Sequence, residues 1–195
     1  MNFSIIIPIY KEKKNLKNLV FSLTKVLKDK KNKYEIIFVD DDSKDGSADL
    51  FKKIKNKKIR FLIRKEKPRD LSKSVVYGFA RSKYENLIVM DGDLQHHPSD
   101  LCKLMTKFQK NDCDILIGSR NMLNNNKVNL GILRFYVSKS LNSITNFLFR
   151  LDLKDPMSGF FIIKKKVFMK SKKNLFLLGY KILLDIVLSS SNRIK

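Results

Sequence analysis

"NLIVMDGDLQHHP", Asn86 to Pro98, is an apolar run that ends on two aspartates separated by one glycine. The apolar part is short, partly β-branched and without helical period, so it reads as a strand buried on both faces. Pro98 then opens a helix, because Leu101, Leu104, Met105 and Phe108 recur at the spacing of a single apolar stripe. Two chemistries fit the polar residues in between. Asp91 and Asp93 can offer hard carboxylate oxygens to a divalent ion. Alternatively they form an Asp-Gly turn leading to a helix capped by Ser99 or Asp100. A D-x-D triplet alone does not decide, since it arises by chance in many chains.

Around this stretch the same alternation repeats. "FSIIIPI" (Phe3–Ile9) is a strand ended by Pro8, and Leu16, Leu19, Val20, Leu23 and Leu27 mark a helix behind Asn15. "YEIIFVD" (Tyr34–Asp40) is a second strand closed by the turn "DDSKDGS", with helix resuming at Ser47 through Leu50, Phe51 and Ile54. "IRFLI" (Ile59–Ile63) is a third strand, followed by a helix over Ser72 to Arg81, and "DILIGS" (Asp114–Ser119) holds a fifth. Continuously apolar strands alternating with helices imply an α/β fold with a mostly parallel sheet and helices on both faces. Ligands of such sheets lie beyond the carboxyl ends of the strands. The polar clusters "PIYKE", "DDDSKDG", "DGDLQ" and "GSR" all fall there. Four clusters on one edge are harder to explain as turns than any one alone.

After Arg120 the pattern changes. "MLNNNKVN" reads as a loop, and Leu133, Val137, Leu141, Ile144 and Leu148 as a helix that also carries Arg134, Lys139 and Arg150. That face is either core or an interfacial surface flanked by cations. "SGFFIIKK" reads as a short strand and "LFLLGYKILLDIVL" (Leu175–Leu188) as a final apolar helix.

Six segments carry a resemblance: "SIIIPIYKEKKNL", "YEIIFVDDDSKDGS", "IVMDGDLQHHP", "IGSR", "MSGFF" and "GYKILLDI", in this order over nearly the whole chain. The sequence resembles family 2 glycosyltransferases, in particular the dolichol-phosphate mannose synthases and bacterial polyprenyl-phosphate glycosyltransferases. The resemblance implies a GT-A, Rossmann-like nucleotide-sugar-binding fold. It implies one catalytic domain over residues 1–195, with a nucleotide-sugar half at 1–120 and an acceptor-side half at 121–195 shortened at its C-terminus. Pro8, Tyr10, Glu12, Val39, Asp41, Asp91, Gly92, Asp93 and Gln95 would line the nucleotide-sugar pocket. Asp93 and Gln95 would hold Mg²⁺ or Mn²⁺. Arg120, Arg134 and Ser138 would hold the acceptor phosphate, with Asp91, Asp93 and Arg120 as the catalytic group.

The implied reaction moves a hexose, first mannose from GDP-mannose, to a polyprenyl or dolichyl phosphate with inversion. It would run at the cytoplasmic face of an anionic membrane to which the protein is peripherally bound. A UDP-sugar enzyme with another acceptor and a shortened, inactive relative stay open. "RDLSKS" (Arg69–Ser74) stands where many mannose synthases carry a glycine-rich "GLG", which leaves the donor between GDP- and UDP-sugars. "DGD" for the commoner "DAD" keeps both acids. Plainer readings stand beside these: Tyr10 as a packed aromatic, Val39 as core, Asp41 as a turn residue, Arg134 as a solvated cation, Arg69 and Asp185 as surface charges.

Composition bounds the alternatives. The chain has 195 residues, 43% hydrophobic, enough for a real core, and a net charge of +22. Only 8 of the 41 cations are Arg, and aromatics do not interleave with them, so nothing marks a nucleic-acid stacking platform. The charge fits a solvated lysine-rich surface or attraction to anionic lipid. Cys102 and Cys113 have neither metal-ligand spacing nor a disulfide framework and read as free thiols. "MNFSIIIPIY" turns polar too soon for a signal peptide, and no charge-free run reaches the roughly 18 residues of a membrane span.

Overall fold

The computed structural model describes residues 1–28, 32–94, 96–118, 155, 158–177, 179 and 181–190. Its sheet is laid down on both sides of β1 (Phe3–Ile9), whose seven residues are all buried. β2 (Tyr34–Asp40) and β4 (Asn86–Val89) flank β1 in parallel, with Ile5 level with Ile36 on one side and Ile88 on the other. β3 (Ile59–Ile63) continues in parallel beyond β2. Past β4, β6 (Phe161–Lys164) runs antiparallel and separates it from β5 (Ile115–Ile117), so the order is β3-β2-β1-β4-β6-β5. β5 shares the direction of β1–β4 but does not touch them, a departure from a simple parallel array. The winding reverses between β1 and β4, which puts the crevice of such a sheet just beyond Ile9 and Val89.

Every β1 position is apolar or small because both faces are covered. Phe3, Ile5, Ile7 and Ile9 meet α1 (Lys13–Leu27), α2 (Ser47–Lys52) and α4 (Pro98–Lys110) through Leu16, Leu19, Leu23, Phe51, Leu101 and Phe108. Ile6 meets α3 (Leu71–Ala80), beyond which pack α5 (Lys165–Ser171) and α6 (Ile182–Ser189). Gly78 lets α3 come close, since a Cβ there would lie 2.7 Å from Ile6 Cγ2. Each fully buried Leu or Phe in these layers contributes about 1.5–3 kcal/mol.

Pro8 lies inside β1 rather than ending it. Strand alternation turns its missing N–H toward β4, and the pairing of β1 with β4 stops at Ile6 and Val89, just where Pro8 cannot supply the next ladder bond. α1 starts at Lys13, ahead of Asn15, whose Nδ2 donates to Glu12 Oε2 (2.6 Å). α2 stops at Lys52, leaving Ile54 beyond it. α4 is capped by neither Ser99 nor Asp100: His97 Nδ1 accepts from Ser99 N (3.2 Å). The final apolar run is not one helix. Asp185 accepts from Phe176 N (3.1 Å) and Leu177 N (2.8 Å), and Gly179 has φ +78, so the chain turns before α6 begins.

At the edge opposite the crevice, buried Glu35 ties three elements together. It accepts from Ser4 Oγ (2.7 Å), Arg60 Nη1 (2.9 Å) and Lys83 N (2.5 Å). Burial raises its pKa, but these bonds and the Arg60 charge outweigh burial and hold it below the ordinary 4.5. A carboxylate depressed on folding lends stability that is full above its unfolded value and lost as pH falls through its folded one. The thermal midpoint is expected to fall on acidification below pH 4.5. Glu35→Gln should flatten that fall and cost about 2 kcal/mol at neutral pH, read by denaturant titration.

Candidate active site

The strands end level. Register aligns Ile9, Asp40 and Ile63, and the chain stays pinned as it leaves the sheet. Asp41 N donates to Ile9 O (3.1 Å), Arg64 N to Asp40 O (2.8 Å) and Met90 N to Ile6 O (3.1 Å). Left-handed backbone gathers in the loops beyond: Lys11 (φ 58), Asp42 (56), Lys44 (53), Gly46 (87) and Leu94 (63). Residues with a side chain take up this conformation at a cost, and such positions concentrate where loops are shaped for a task.

Asp41 is 5% exposed, too buried for a turn acid. Its Oδ2 accepts from Asp70 N (2.7 Å), and Arg64 Nη2 lies 2.5 Å from its Oδ1. That second contact is an ion pair without hydrogen-bond alignment: Asp41 Oδ1 and Arg64 Nε both lack a hydrogen-bond partner. Among the described residues, an acceptor and a donor in one buried pair thus keep unused hydrogen-bonding capacity, a cost that the ion pair offsets in part. Arg64 is anchored by a bond from Nη2 to Pro68 O (3.0 Å). The sequence reading passed over Arg64, whose sole signal was its position just after a strand end.

Arg69 belongs to this cluster rather than to a remote surface. It donates to Asp41 O (3.1 Å) and Asp42 O (3.0 Å), with its guanidinium 5.2 Å from the Tyr10 ring centre. Tyr10 is 43% exposed, so it is not a core aromatic. Val39 is fully buried core, Pro8 is buried in β1, and half-buried Glu12 is bonded to Asn15. Burial raises the Asp40 pKa and the Asp45 and Asp42 charges add to it, against hydrogen bonds from Ser43. Asp42 goes the other way: loss of solvation is the largest single influence and raises it, but Lys67, Lys44 and Arg69 together outweigh it and lower its pKa.

Asp91, Gly92 and Asp93 leave β4 beside β1. A Cβ at Gly92 would lie 2.8 Å from Ile9 Cγ2 and 3.5 Å from Pro8 O, which fixes how closely this loop lies on the end of β1. The Asp91 carboxyl lies against Gly159, where a Cβ would be 2.7 Å from its Cγ. The Phe160 ring stacks on His96 (4.7 Å, 29°) and covers Gly118, where a Cβ would meet Cε1 at 2.8 Å. Gly118 N donates to Phe160 O (2.8 Å) and Ser158 Oγ to Gly118 O (3.1 Å). The loop Ser158–Phe160 therefore ties the aspartate loop to the end of β5. Sequence reading used "MSGFF" only as a resemblance, although a Ser-Gly pair before a strand was the available signal.

Gln95, Arg120, Arg134 and Ser138 lie outside the described residues. Asp185 spends both oxygens on the backbone of Phe176 and Leu177, a structural task. Among the described residues no three His, Cys, Asp or Glu side chains gather into a metal cage. Asp91 and Asp93 are partly exposed hard-oxygen donors at an open edge, which fits an ion of the Mg²⁺ type that completes its shell with ligand phosphates.

A six-stranded α/β sheet with this edge is the architecture of a GT-A glycosyltransferase, and the chain belongs to glycosyl transferase family 2, whose family model matches residues 4–171. It is 35% identical to the dolichol-phosphate mannosyltransferase of Pyrococcus furiosus over 96% of this chain and 53% of that protein. The corresponding Saccharomyces cerevisiae protein is 31% identical over 96% of this chain and 70% of its own length. The chain thus spans about half of the archaeal relative. In three dimensions it resembles Mycobacterium tuberculosis glucosyl-3-phosphoglycerate synthase solved with Mn²⁺, UDP-glucose and phosphoglyceric acid. That likeness has TM-score 0.69 at 16% identity, over 95% of this chain and 63% of that one. Staphylococcus aureus TarS gives 0.66 at 17% identity, over 97% and 55%.

Gly159→Ala is expected to cost about 1–3 kcal/mol by forcing Asp91 aside. In an Asp91→Ala background the added methyl has room, and most of that cost should vanish. Equal costs in both backgrounds, read from denaturant midpoints, would refute the contact.

Proposed function

We propose that the protein transfers a hexose from a nucleotide sugar to a polyprenyl or dolichyl phosphate at a membrane surface, with GDP-mannose as first donor. One observation carries the reading: the open pair of Asp41 Oδ1 and Arg64 Nε on the same sheet edge as Tyr10, Arg69 and the Asp91-Gly92-Asp93 loop. A buried acceptor beside a buried donor matches the edge of a base that offers an N–H next to a carbonyl. Guanine and uracil both do so, which is why this pair supports a nucleotide donor without choosing between GDP and UDP. Tyr10 and Arg69 offer flat faces on which a base can stack. The names of the archaeal and yeast relatives favour a mannosyl group and a dolichyl phosphate, and the UDP-glucose complex of the mycobacterial enzyme favours a UDP-sugar as second reading.

In this reading Asp91, Gly92 and Asp93 receive the ribose and diphosphate, and Asp93 with Gln95 holds Mg²⁺ or Mn²⁺. The ion would offset charge on the departing diphosphate. The acceptor is a phosphate monoester, already anionic near neutral pH, so no strong base is needed to expose its nucleophile. Its oxygen attacks the anomeric carbon from the face opposite the diphosphate, and configuration inverts. Arg120, Arg134 and Ser138 position that phosphate, the arginines through paired planar donors that also counter repulsion between two anions. Positioning and fixed charge then carry the rate. No described helix is long and apolar enough to cross a membrane. Attachment to the cytoplasmic face of an anionic membrane would rest on the +22 charge and on the apolar spacing read in the sequence from Leu133 to Leu148, which lies outside the described residues.

Titrating GDP and UDP calorimetrically, with and without Mg²⁺, tests the donor site. Incorporation of labelled mannose or glucose into organic-extractable lipid tests the acceptor, and label confined to water-soluble product would reject it. Asp93→Ala should weaken metal-dependent nucleotide binding by about 10-fold or more at an unchanged thermal midpoint, the loss of a charge-assisted contact. Unchanged affinity would overturn its assignment. Arg134→Ala should spare nucleotide affinity and depress lipid labelling; loss of both together would mean a structural role.

A further inference from the structure

The nucleotide edge and the segment leading into α6 are joined through one side chain, Asp70. Its backbone N–H donates to Asp41 Oδ2 (2.7 Å). Its carboxylate divides between two amides: Oδ1 accepts from Lys73 N (3.1 Å), capping α3, and Oδ2 accepts from Gly179 N (2.6 Å). The Gly179 carbonyl accepts in turn from Ser72 N (3.2 Å) and Ser72 Oγ (2.7 Å). Gly179 takes the left-handed φ +78, and among the described residues no atom lies within 4 Å of where its Cβ would be, so the contacts that hold it there are these bonds.

Both ends of this connection are fastened. Asp41 is pinned to β1 through its own N–H, and Arg69 and Arg64 bind residues 68–70 to the Asp41 turn through Asp41 O, Asp42 O and Pro68 O. On the far side Asp185 holds the amides of Phe176 and Leu177, which ties these two residues to the first turn of α6. A change at Asp41 therefore reaches Gly179 through rigid intermediates.

From this geometry we infer that Asp70 is a positioning residue that couples occupancy of the nucleotide site proposed at Asp41 to the seating of the segment at Gly179 on the first turn of α3. The inference rests on the donor site proposed above. A base that hydrogen-bonds to Asp41 Oδ1 fixes the carboxylate on which the Asp70 amide depends, and so favours the seated segment. By reciprocity, unseating the segment weakens nucleotide binding. The sequence reading assigned this segment to the acceptor side, so the device would ready that side once the donor is bound.

The test is backbone hydrogen exchange across 175–185 in the full chain, alone and with saturating GDP or UDP plus Mg²⁺, alongside calorimetry. Asp70→Ser and Asp70→Asn both keep a good helix cap. Serine is too short to reach Gly179, and asparagine, with one oxygen spent on Lys73 N, turns an NH₂ toward the Gly179 N–H. In both variants exchange over 175–185 should quicken by about 10-fold or more, the scale of one charge-assisted bond, at an unchanged thermal midpoint. Nucleotide should slow that exchange in the native chain and leave it unchanged in the variants. Wild-type exchange in the variants, or equal protection by nucleotide in all three proteins, would overturn the inference. Nucleotide that binds without protecting 175–185 in the native chain would overturn the coupling and leave the donor site standing. Absence of nucleotide binding would overturn both.

Discussion

A buried carboxylate, Asp41, holds the upper edge of this protein together. It joins the end of β1 through its N–H, the end of β3 through Arg64 and the start of α3 through the Asp70 amide. Removing two charges from water is expensive, and a buried pair rarely does better than two apolar side chains of the same size. Stability therefore does not explain Asp41 and Arg64, least of all with one atom of each left without a hydrogen bond. The donor site proposed above would explain them, since a pair that is costly alone is one that a polar ligand could satisfy.

The rest of the edge is shaped by close approach. Gly92 lays the aspartate loop against β1, Gly159 leaves room for the Asp91 carboxyl, and Gly118 leaves room for the Phe160 ring. Three loops distant in sequence are thereby packed together, and hydrogen bonds from Gly118 N to Phe160 O and from Ser158 Oγ to Gly118 O fasten two of them. Left-handed backbone at Lys11, Asp42, Lys44 and Leu94 adds strain at the same edge, while β1 and β2 below it are buried along their whole length. A rigid, apolar sheet can carry strained loops because its own stability does not depend on them.

Much of this was legible in the chain. β1 to β4 announced themselves because central parallel strands are apolar on both faces, and α1 and α4 because their buried stripes are long and periodic. The insertion of β6 between β4 and β5 was not legible, since strands of four and three residues pair across more than forty positions with no local mark. The final helix was read too long because apolar residues continue through Leu175 to Leu188, while a single Asp185 side chain captures the amides that would have begun it. At the site, Asp91 and Asp93 stood out by type and spacing. Arg64, Asp70 and Gly159 did not, because their roles arise from contacts at long range, the Asp70–Gly179 bond across 109 positions among them.

The concentration of acids in so basic a chain follows from the same physics. Asp40, Asp41 and Asp42 are consecutive, and three like charges at a strand end would repel. Each meets a different environment: Asp40 is raised by burial and by its acidic neighbours, Asp41 is paired to Arg64, and Asp42 is lowered by Lys67, Lys44 and Arg69. The cations that make the turn tolerable also leave the rim positive, with Arg69 between the acids and the Tyr10 face. An anion approaching this edge is drawn by the surrounding charge and meets carboxylates only at the centre, where a divalent ion can be held. The acids therefore do not oppose the net charge of the molecule: at the Asp40–Asp42 turn each is balanced by its own surroundings, and under the proposed function Asp91 and Asp93 would be balanced by a bound cation.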